Sequence, residues 1–339
     1  MNLENLSEVL SSEPKYRYQQ VNKFVFQDFI SSWQEASNLP KALREKLEFA
    51  CPLDINYELL EGQDKNSQKA LIIFGDNQSV ETVLIKQKAG KQAEAEARYT
   101  ICLSTQVGCA LACTFCATGA AGFKRNLESF EIVEQLIFWG RRLKGHGKID
   151  NVVFMGMGEP FLNYDEFIKA AKFINNPETI NIGARRLSVS TAGIIPGIKR
   201  LAGEKIQMNL AVSLHAANDS LRHKLMPLAS KYTISDLLKE VDRYINKTGR
   251  RVMFEYLMIK GVNDSEEDAD ALAAILRRPL YFVNLIPYND TGRYQASSPD
   301  TIRHFREYLE NKGVPATIRL SFGSDISAAC GQLSQQKRQ

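Results

Sequence analysis

From about residue 99 onward the sequence alternates between short apolar runs and longer amphipathic ones. The short runs are YTICLST, NVVFMGM, RLSVSTA, MNLAVSL, RVMFEYL, YFVNLIP and ATIRLSF. Between them lie SFEIVEQLIFWGRRL, ISDLLKEVDRYINKT, DADALAAILRR and DTIRHFREYLENKG, the last closing on Gly313, a good helix stop. Repeated strand–helix units need parallel strands joined by right-handed crossovers, which leaves an open doubly wound sheet or a full or partial barrel. In barrels the chemistry collects at the C-terminal ends of the strands. Here those ends carry the Gly-Met-Gly-Glu of 156–159, then Ser190, Ser213–His215 and Asn289. Small and polar groups recurring at one structural position predict a single ligand bed.

Residues 1–50 read differently. VNKFVFQDFISSW and PKALREKLEFA have apolar residues at helical spacing, separated by NLP, with Asn38 as a candidate cap and Pro40 in a first turn. The runs INYELLEG, ALIIFG and SVETVLIK, with GDNQ as a turn, predict a short sheet in 51–98. The expected division is a helical accessory domain at 1–50, a β extension at 51–98, a strand–helix core at 99–333 and a short tail at 334–339.

With 43 Lys and Arg against 39 Asp and Glu, the net charge of +4 does not by itself point to nucleic acid; a localised basic cleft would. No stretch approaches the roughly 20 apolar residues that cross a bilayer, and the first residues lack the basic start and apolar run of a secretory signal. A cytoplasmic protein is expected. In that compartment six cysteines are ligands, catalytic groups or core residues rather than a disulfide scaffold.

Their placement narrows the choice. Cys109-Ala-Leu-Ala-Cys113-Thr-Phe-Cys116 follows a predicted strand. Three thiolates so close suit a soft metal or an iron–sulfur cluster. A structural zinc is an equal alternative on chemistry alone, with Cys102 or a distant residue as its fourth ligand. Three thiolates on a four-iron cubane would leave one iron open to chelate the amino and carboxylate groups of S-adenosylmethionine (SAM). The Cx3CxxC spacing, with aromatic Phe115 before the last cysteine, resembles the signature of radical SAM enzymes. Met155–Glu159 looks like their glycine-rich segment.

The strings QVGCALACTFCATG, GFKRNL, MGMGEP, RRLSVSTAGI, AVSLHA, FEYLMIKGVND, NLIPYN and SDISAACGQL resemble, in order, those of the RlmN/Cfr family of RNA methyltransferases. YRYQQVNKFVFQ and NLPKALREKL are similar to that family's small RNA-binding helical domain. The resemblance implies a partial (β/α)6 radical SAM barrel and one [4Fe–4S] cluster on Cys109, Cys113 and Cys116. It also implies two SAM molecules per turnover, one methylating a cysteine matched by Cys330, the other giving the radical that removes hydrogen from that methyl. The matched residues are Cys102 for the cysteine that releases product through a transient disulfide with Cys330, and Glu81 for the proton acceptor. Gly158, Glu159, Ser190, Ser213, Leu214, His215 and Asn289 match the cofactor bed. Without the resemblance Glu81 reads as a surface residue, Cys102 and Cys330 as core, and His215 as a satisfied buried histidine. Cys51 has no match and reads as structural.

The implied substrate is adenine C2 in 23S rRNA at the peptidyl-transferase centre, with a tRNA adenosine beside the anticodon as a second target. A flavodoxin-type partner supplies the electron, and a monomer is expected. Phe322, where RlmN members usually carry Arg, and Asp290, in place of a common proline, keep Cfr-type C8 methylation as the alternative. A zinc-stapled, non-catalytic RNA-binding protein is the rival from another class. The basic pairs Lys124–Arg125, Arg185–Arg186 and Arg250–Arg251 are candidate phosphate contacts or ordinary solvated ends.

Overall fold

The computed structural model describes residues 1, 5–63, 65–88, 97–227 and 231–334; most of the 334–339 tail lies outside them. Helices α1 (Leu6–Leu10), α2 (Lys15–Phe26) and α3 (Lys41–Ala50) come first. The apolar period through VNKFVFQDFISSW predicts helix as far as Trp33, but α2 stops at Phe26. Phe29 turns left-handed at φ +50, and Ser32 and Glu35 cap a single 3-10 turn that starts at Trp33. This turn drops Trp33 wholly into the core, where its indole N–H donates to the Cys51 carbonyl at 2.8 Å. Nor is Asn38 a cap: α3 begins after an extended Pro40, with no side-chain capping bond.

The antiparallel strands β1 (Asn56–Glu61), β2 (Ser67–Ile73), β3 (Ser79–Lys88) and β4 (Ala97–Cys102) form a meander. A separate ribbon, β5 (Gln106–Gly108) with β6 (Phe123–Asn126), encloses α4 (Ala117–Ala120). Then α5 (Ser129–Leu143), β7 (Ile149–Phe154), α6 (Tyr164–Asn175), β8 (Leu187–Thr191), α7 (Ile195–Leu201) and β9 (Asn209–Ser213) alternate. After α8 (Asp219–Leu225) and α9 (Ile234–Thr248) come β10 (Val252–Met258), α10 (Glu266–Ile275), β11 (Tyr281–Pro287), α11 (Pro299–Asn311) and β12 (Ala316–Ile318).

One ten-stranded sheet runs β1-β2-β3-β4-β7-β8-β9-β10-β11-β12. Every pairing from β4 to β12 is parallel, so the expected partial barrel is present, with three-residue β12 as a seventh parallel strand beyond the six expected. Among the described residues no strand pairing closes the sheet on itself.

Local chemistry explains the helices that cover it. In α9, Ile234, Leu237, Val241 and Tyr244 recur at three- and four-residue steps and are buried; Thr233 caps the start and left-handed Gly249 (φ +65) ends the helix. The N-terminal helices share this core through α5 and α6. Phe26 meets Phe173 edge to face at 4.8 Å, and Arg141 donates to the Leu53 carbonyl at 2.8 Å. Gly140 leaves room for the Phe29 ring, which a Cβ there would meet at 2.5 Å. No helix of the described residues is long and apolar enough to cross a membrane.

Candidate active site

Beyond β4 the chain enters β5, and β6 returns alongside it, so residues 109–122 form a loop cinched at its base. The Cys109 N–H donates to Gly122 O at 3.0 Å. Gly108 sits at φ +75, where an added Cβ would stand 1.9 Å from that same oxygen, so only glycine closes the cinch. Inside the loop Ala112 is left-handed, and the Cys116 N–H donates to Cys113 O at 3.2 Å. Cys109, Cys113 and Cys116 all line one cavity of about 220 Å³, as do Cys102 and Cys330. Burial pushes the Cys109 thiol up to about 12 and Cys113 well above its ordinary value, against a modest opposing pull from Arg222 on Cys113. Thiols this reluctant to ionise become ligands when a bound cation displaces the proton.

The strand ends supply the opposite wall. Gly158 (φ +97) would drive a Cβ to 2.5 Å from the Gln106 side chain, so glycine is required where β7 turns into the cavity. The Glu159 N–H donates to Gln106 Oε1 at 2.8 Å. Its carboxylate accepts from the Phe161 N–H at 3.0 Å and the Ala192 N–H at 2.7 Å, tying the end of β7 to that of β8. Burial raises Glu159 to about 7. With these two backbone donors and the Thr191 side chain on it, the carboxylate still has acceptor capacity on the cavity side. The Ser190 and Ser213 hydroxyls lie 3.4 Å apart on the same wall.

His215 is left-handed (φ +59), and its ring meets Phe115 edge to face at 4.8 Å. Nδ1 accepts from the Leu257 N–H at 3.1 Å, so the proton of the neutral ring sits on Nε2. Burial, aided by the Arg222 charge, lowers His215 to about 3. Leu214 and Asn289 are placed behind the cavity rather than on it. Leu214 is buried with its N–H donating to Glu255 O at 3.0 Å, and Asn289 Nδ2 donates to Cys330 O at 3.1 Å.

Cys330 is exposed, on a segment that several contacts hold down. Lys69 Nζ donates to Ser327 O at 3.2 Å, the Ala117 N–H to Gly331 O at 2.8 Å and Thr118 Oγ1 to Leu333 O at 2.5 Å. Glu81 is not a surface residue: it is 3% exposed, paired with Lys69 at 2.9 Å and accepting from the Ser334 N–H at 2.9 Å. It is not among the cavity-lining residues, although Val83, two residues on in β3, is. Cys51 lies in the core of the N-terminal helices, far along the chain from this constellation and not lining it.

Two charged residues line the cavity without being singled out in the sequence, Glu255 on β10 and Arg319 after β12. A charged residue inside an apolar strand such as VMFEYLM is the one local signal for Glu255. The basic pairs are largely tied within the fold. Arg125 grips Asp76 and Glu131 at 2.7 Å each, Arg186 meets Asp150 at 3.3 Å, and Arg250 donates to Asn209 Oδ1 at 3.1 Å.

The Radical SAM superfamily profile matches residues 103–273. A probable dual-specificity RNA methyltransferase RlmN of Syntrophomonas wolfei is 44% identical, covering 96% of this chain and 93% of its own length. The ribosomal RNA large subunit methyltransferase N of Nitrosopumilus maritimus is 42% identical over 94% of this chain and 92% of its own. A radical SAM methyltransferase from Sphaerobacter thermophilus, known from its crystal structure, superposes with a TM-score of 0.90 at 42% identity, covering 98% and 97% of the two chains. The chain belongs to the RlmN family of radical SAM RNA methyltransferases.

Membership of the RlmN family implies a [4Fe–4S] cluster and SAM, and the residues fit both. The three thiols and the Glu159 carboxylate face one cavity. Among the described residues no three or more Cys, His, Asp or Glu side chains close round a single metal ion.

Proposed function

We propose that this chain methylates C2 of an adenosine in 23S rRNA, with a tRNA adenosine as a second substrate, through an S-methylated Cys330. The observation that carries the reading is the meeting of two sulfur sets in one cavity. The loop of Cys109, Cys113 and Cys116 shares it with Cys102 and Cys330, which lie 228 residues apart in sequence. The relatives, a probable dual-specificity RNA methyltransferase and a ribosomal RNA large subunit methyltransferase, support RNA as the substrate and ribosomal RNA among its classes.

Cys109, Cys113 and Cys116 would hold the cluster, which with SAM supplies a methyl donor and a hydrogen-abstracting radical. Gly158, Glu159, Ser190, Ser213 and His215 form the bed, with Glu159 receiving the amino group and with Leu214 and Asn289 backing it from behind the cavity wall. The neutral His215 donates from Nε2 without adding charge beside a sulfonium. Asn289 also holds the backbone of Cys330, which ties the carrier's segment to the residues that follow β11. Adenine C2 is electron-poor and does not attack a sulfonium, so a carbon delivered on Cys330 is the route to it. Release follows when the Cys102 thiolate attacks the Cys330 sulfur: the S–S bond forms as the S–C bond to the transferred carbon breaks, the electron pair stays on that carbon, which takes up a proton, and the two cysteines are left as a disulfide. Glu81 is the matched acceptor of the ring proton, and it sits behind the cavity wall, paired with Lys69. The target base is unstacked to enter the cavity.

Phe322 on the cavity lining is the observation that favours a second reading, Cfr-type methylation at C8. Mass spectrometry of nucleosides from RNA treated with the reconstituted enzyme separates the two. The expected product is 2-methyladenosine; 8-methyladenosine alone establishes the second reading, and no methyladenosine removes both.

A further inference from the structure

Arg222 has no part in the chemistry above and is not among the cavity-lining residues, yet it is only 1% exposed, on the buried face of α8. An arginine is almost never enclosed so fully unless its donors are held. Its Nη2 donates to Ala192 O at 2.6 Å. Ala192 is also the residue whose N–H donates to Glu159 Oε2 at 2.7 Å. The other carboxylate oxygen, Oε1, is satisfied within its own turn by the Phe161 N–H. Ala192 lies past the last ladder pairs of β8, Ser190 with Ala211 and Thr191 with Val212, so the sheet alone does not fix it. The guanidinium does. Gly193, the next residue, makes room for it: at φ +97 it has no side chain, and a Cβ there would stand 3.1 Å from Nη2.

α8 is itself anchored at both ends. Asn218 caps it by accepting from the Leu221 N–H at 2.8 Å, and Asp219 Oδ1 accepts from the Ile234 N–H of α9 at 2.8 Å. One step along the same buried face, Leu225 O accepts from the Thr114 N–H at 2.9 Å and from Thr114 Oγ1 at 3.3 Å. Thr114 lies between Cys113 and Cys116. This short helix therefore meets both sides of the cavity, the cysteine loop through Leu225 and the Glu159 wall through Arg222.

We propose that Arg222 is a positioning residue for the amino-acid end of SAM: its bond to Ala192 sets the Ala192 N–H on Glu159 and so aims that carboxylate across the cavity at the cysteine loop. This rests on the reading of Glu159 as the group that receives the amino group. An apolar side chain of similar length fills the same space but leaves Ala192 O without this donor. A role in filling the core alone would loosen the whole cavity. A role through Ala192 is directional, felt by a ligand's amino-acid end and not by its adenosyl end, because Ser190 and Thr191 stay held by the β8–β9 ladder.

The test is calorimetric binding of two ligands to the anaerobic, cluster-bearing full chain at matched iron content. S-adenosylhomocysteine keeps the amino and carboxylate groups, and 5′-methylthioadenosine lacks them. Neither is a sulfonium, so neither methylates Cys330 during the titration. Arg222→Met is expected to weaken S-adenosylhomocysteine about tenfold and to leave 5′-methylthioadenosine within about twofold of wild type. Arg222→Lys keeps a cationic donor and is expected to hold S-adenosylhomocysteine within about threefold. In a Glu159→Gln background Arg222→Met is expected to add less than about twofold, because the two changes share one path. Should Arg222→Met not fold, Arg222→Gln takes its place with the same expectations. Equal weakening of both ligands would overturn the proposal, as would unchanged S-adenosylhomocysteine binding or a full tenfold loss persisting beside Glu159→Gln. Wild-type S-adenosylhomocysteine binding by Glu159→Gln alone would remove the reading of Glu159, and the proposal with it. No RNA enters the measurement, so each of these results is separate from the methylation reading, which the nucleoside analysis reports.

Discussion

At the scale of single residues the site is built by burial acting on titratable groups. His215 is the clearest case, because its ring is enclosed, neutral and fixed by the Leu257 N–H. Its value falls from 6.5 to about 3 on folding. Below pH 6.5 the unfolded chain binds a proton that the folded one refuses, so folding stability falls as pH drops through that window. Between pH 6.5 and 5 the loss from this residue is about 2 kcal/mol. His215→Asn tolerates the left-handed backbone and does not titrate, so its stability curve should be flatter over the same range in urea unfolding. Equal slopes for the two proteins would show that this histidine is hydrated. Glu159 runs in the opposite sense. Its folded value of about 7 lies above the ordinary 4.5, so its contribution weakens as pH rises between them.

At the scale of elements, β2 and β3 do more than extend the sheet. They present Lys69 and Glu81, paired at 2.9 Å with both side chains at least nine-tenths buried, beneath the segment that carries Cys330. Breaking one side of such a pair leaves a bare buried charge. Lys69→Met should therefore cost about 3 kcal/mol in chemical denaturation. Lys69→Met/Glu81→Gln should cost markedly less, since no charge is left behind. A loss below about 1 kcal/mol in the single variant would mean the pair is solvated. The β5–β6 ribbon shows why some elements were not legible in sequence. QVG and FKRN are too short to show a period of two, and they become strands only by pairing with each other across the cysteine loop. The end of α2 was missed for a related reason: the apolar period continues past Phe26, but Trp33 gains more by turning into the core than by prolonging a surface helix.

At the scale of the whole molecule the decisive arrangement is the return of the chain's last described segment to the loop that follows β4. Cys330 is brought to the cavity by contacts from β2, β3, α4 and Asn289 beyond β11. The proposed turnover predicts what happens when one sulfur is missing. Cys102→Ala should accumulate a covalent protein–RNA adduct, seen as a gel shift that survives denaturation. Cys330→Ala should form none and make no methyladenosine. Normal turnover by Cys330→Ala would end the methyl-carrier reading.

By itself the sequence determined the alternation of strands and helices, the cysteine loop, and the small and polar residues at the strand ends. These are local patterns, set by side-chain period and by spacing within one turn of chain. Family resemblance added Cys102, Cys330 and Glu81, which no local signal singles out. Only the tertiary structure decided that Glu81 is buried against Lys69 and that Arg125 and Arg186 serve the fold. It alone placed Glu255 and Arg319 in the wall beside the two sulfurs. The reason is physical. A charge's role depends on what surrounds it in space, and the surroundings come from other elements: Lys69 for Glu81, Asp76 and Glu131 for Arg125, Asp150 for Arg186.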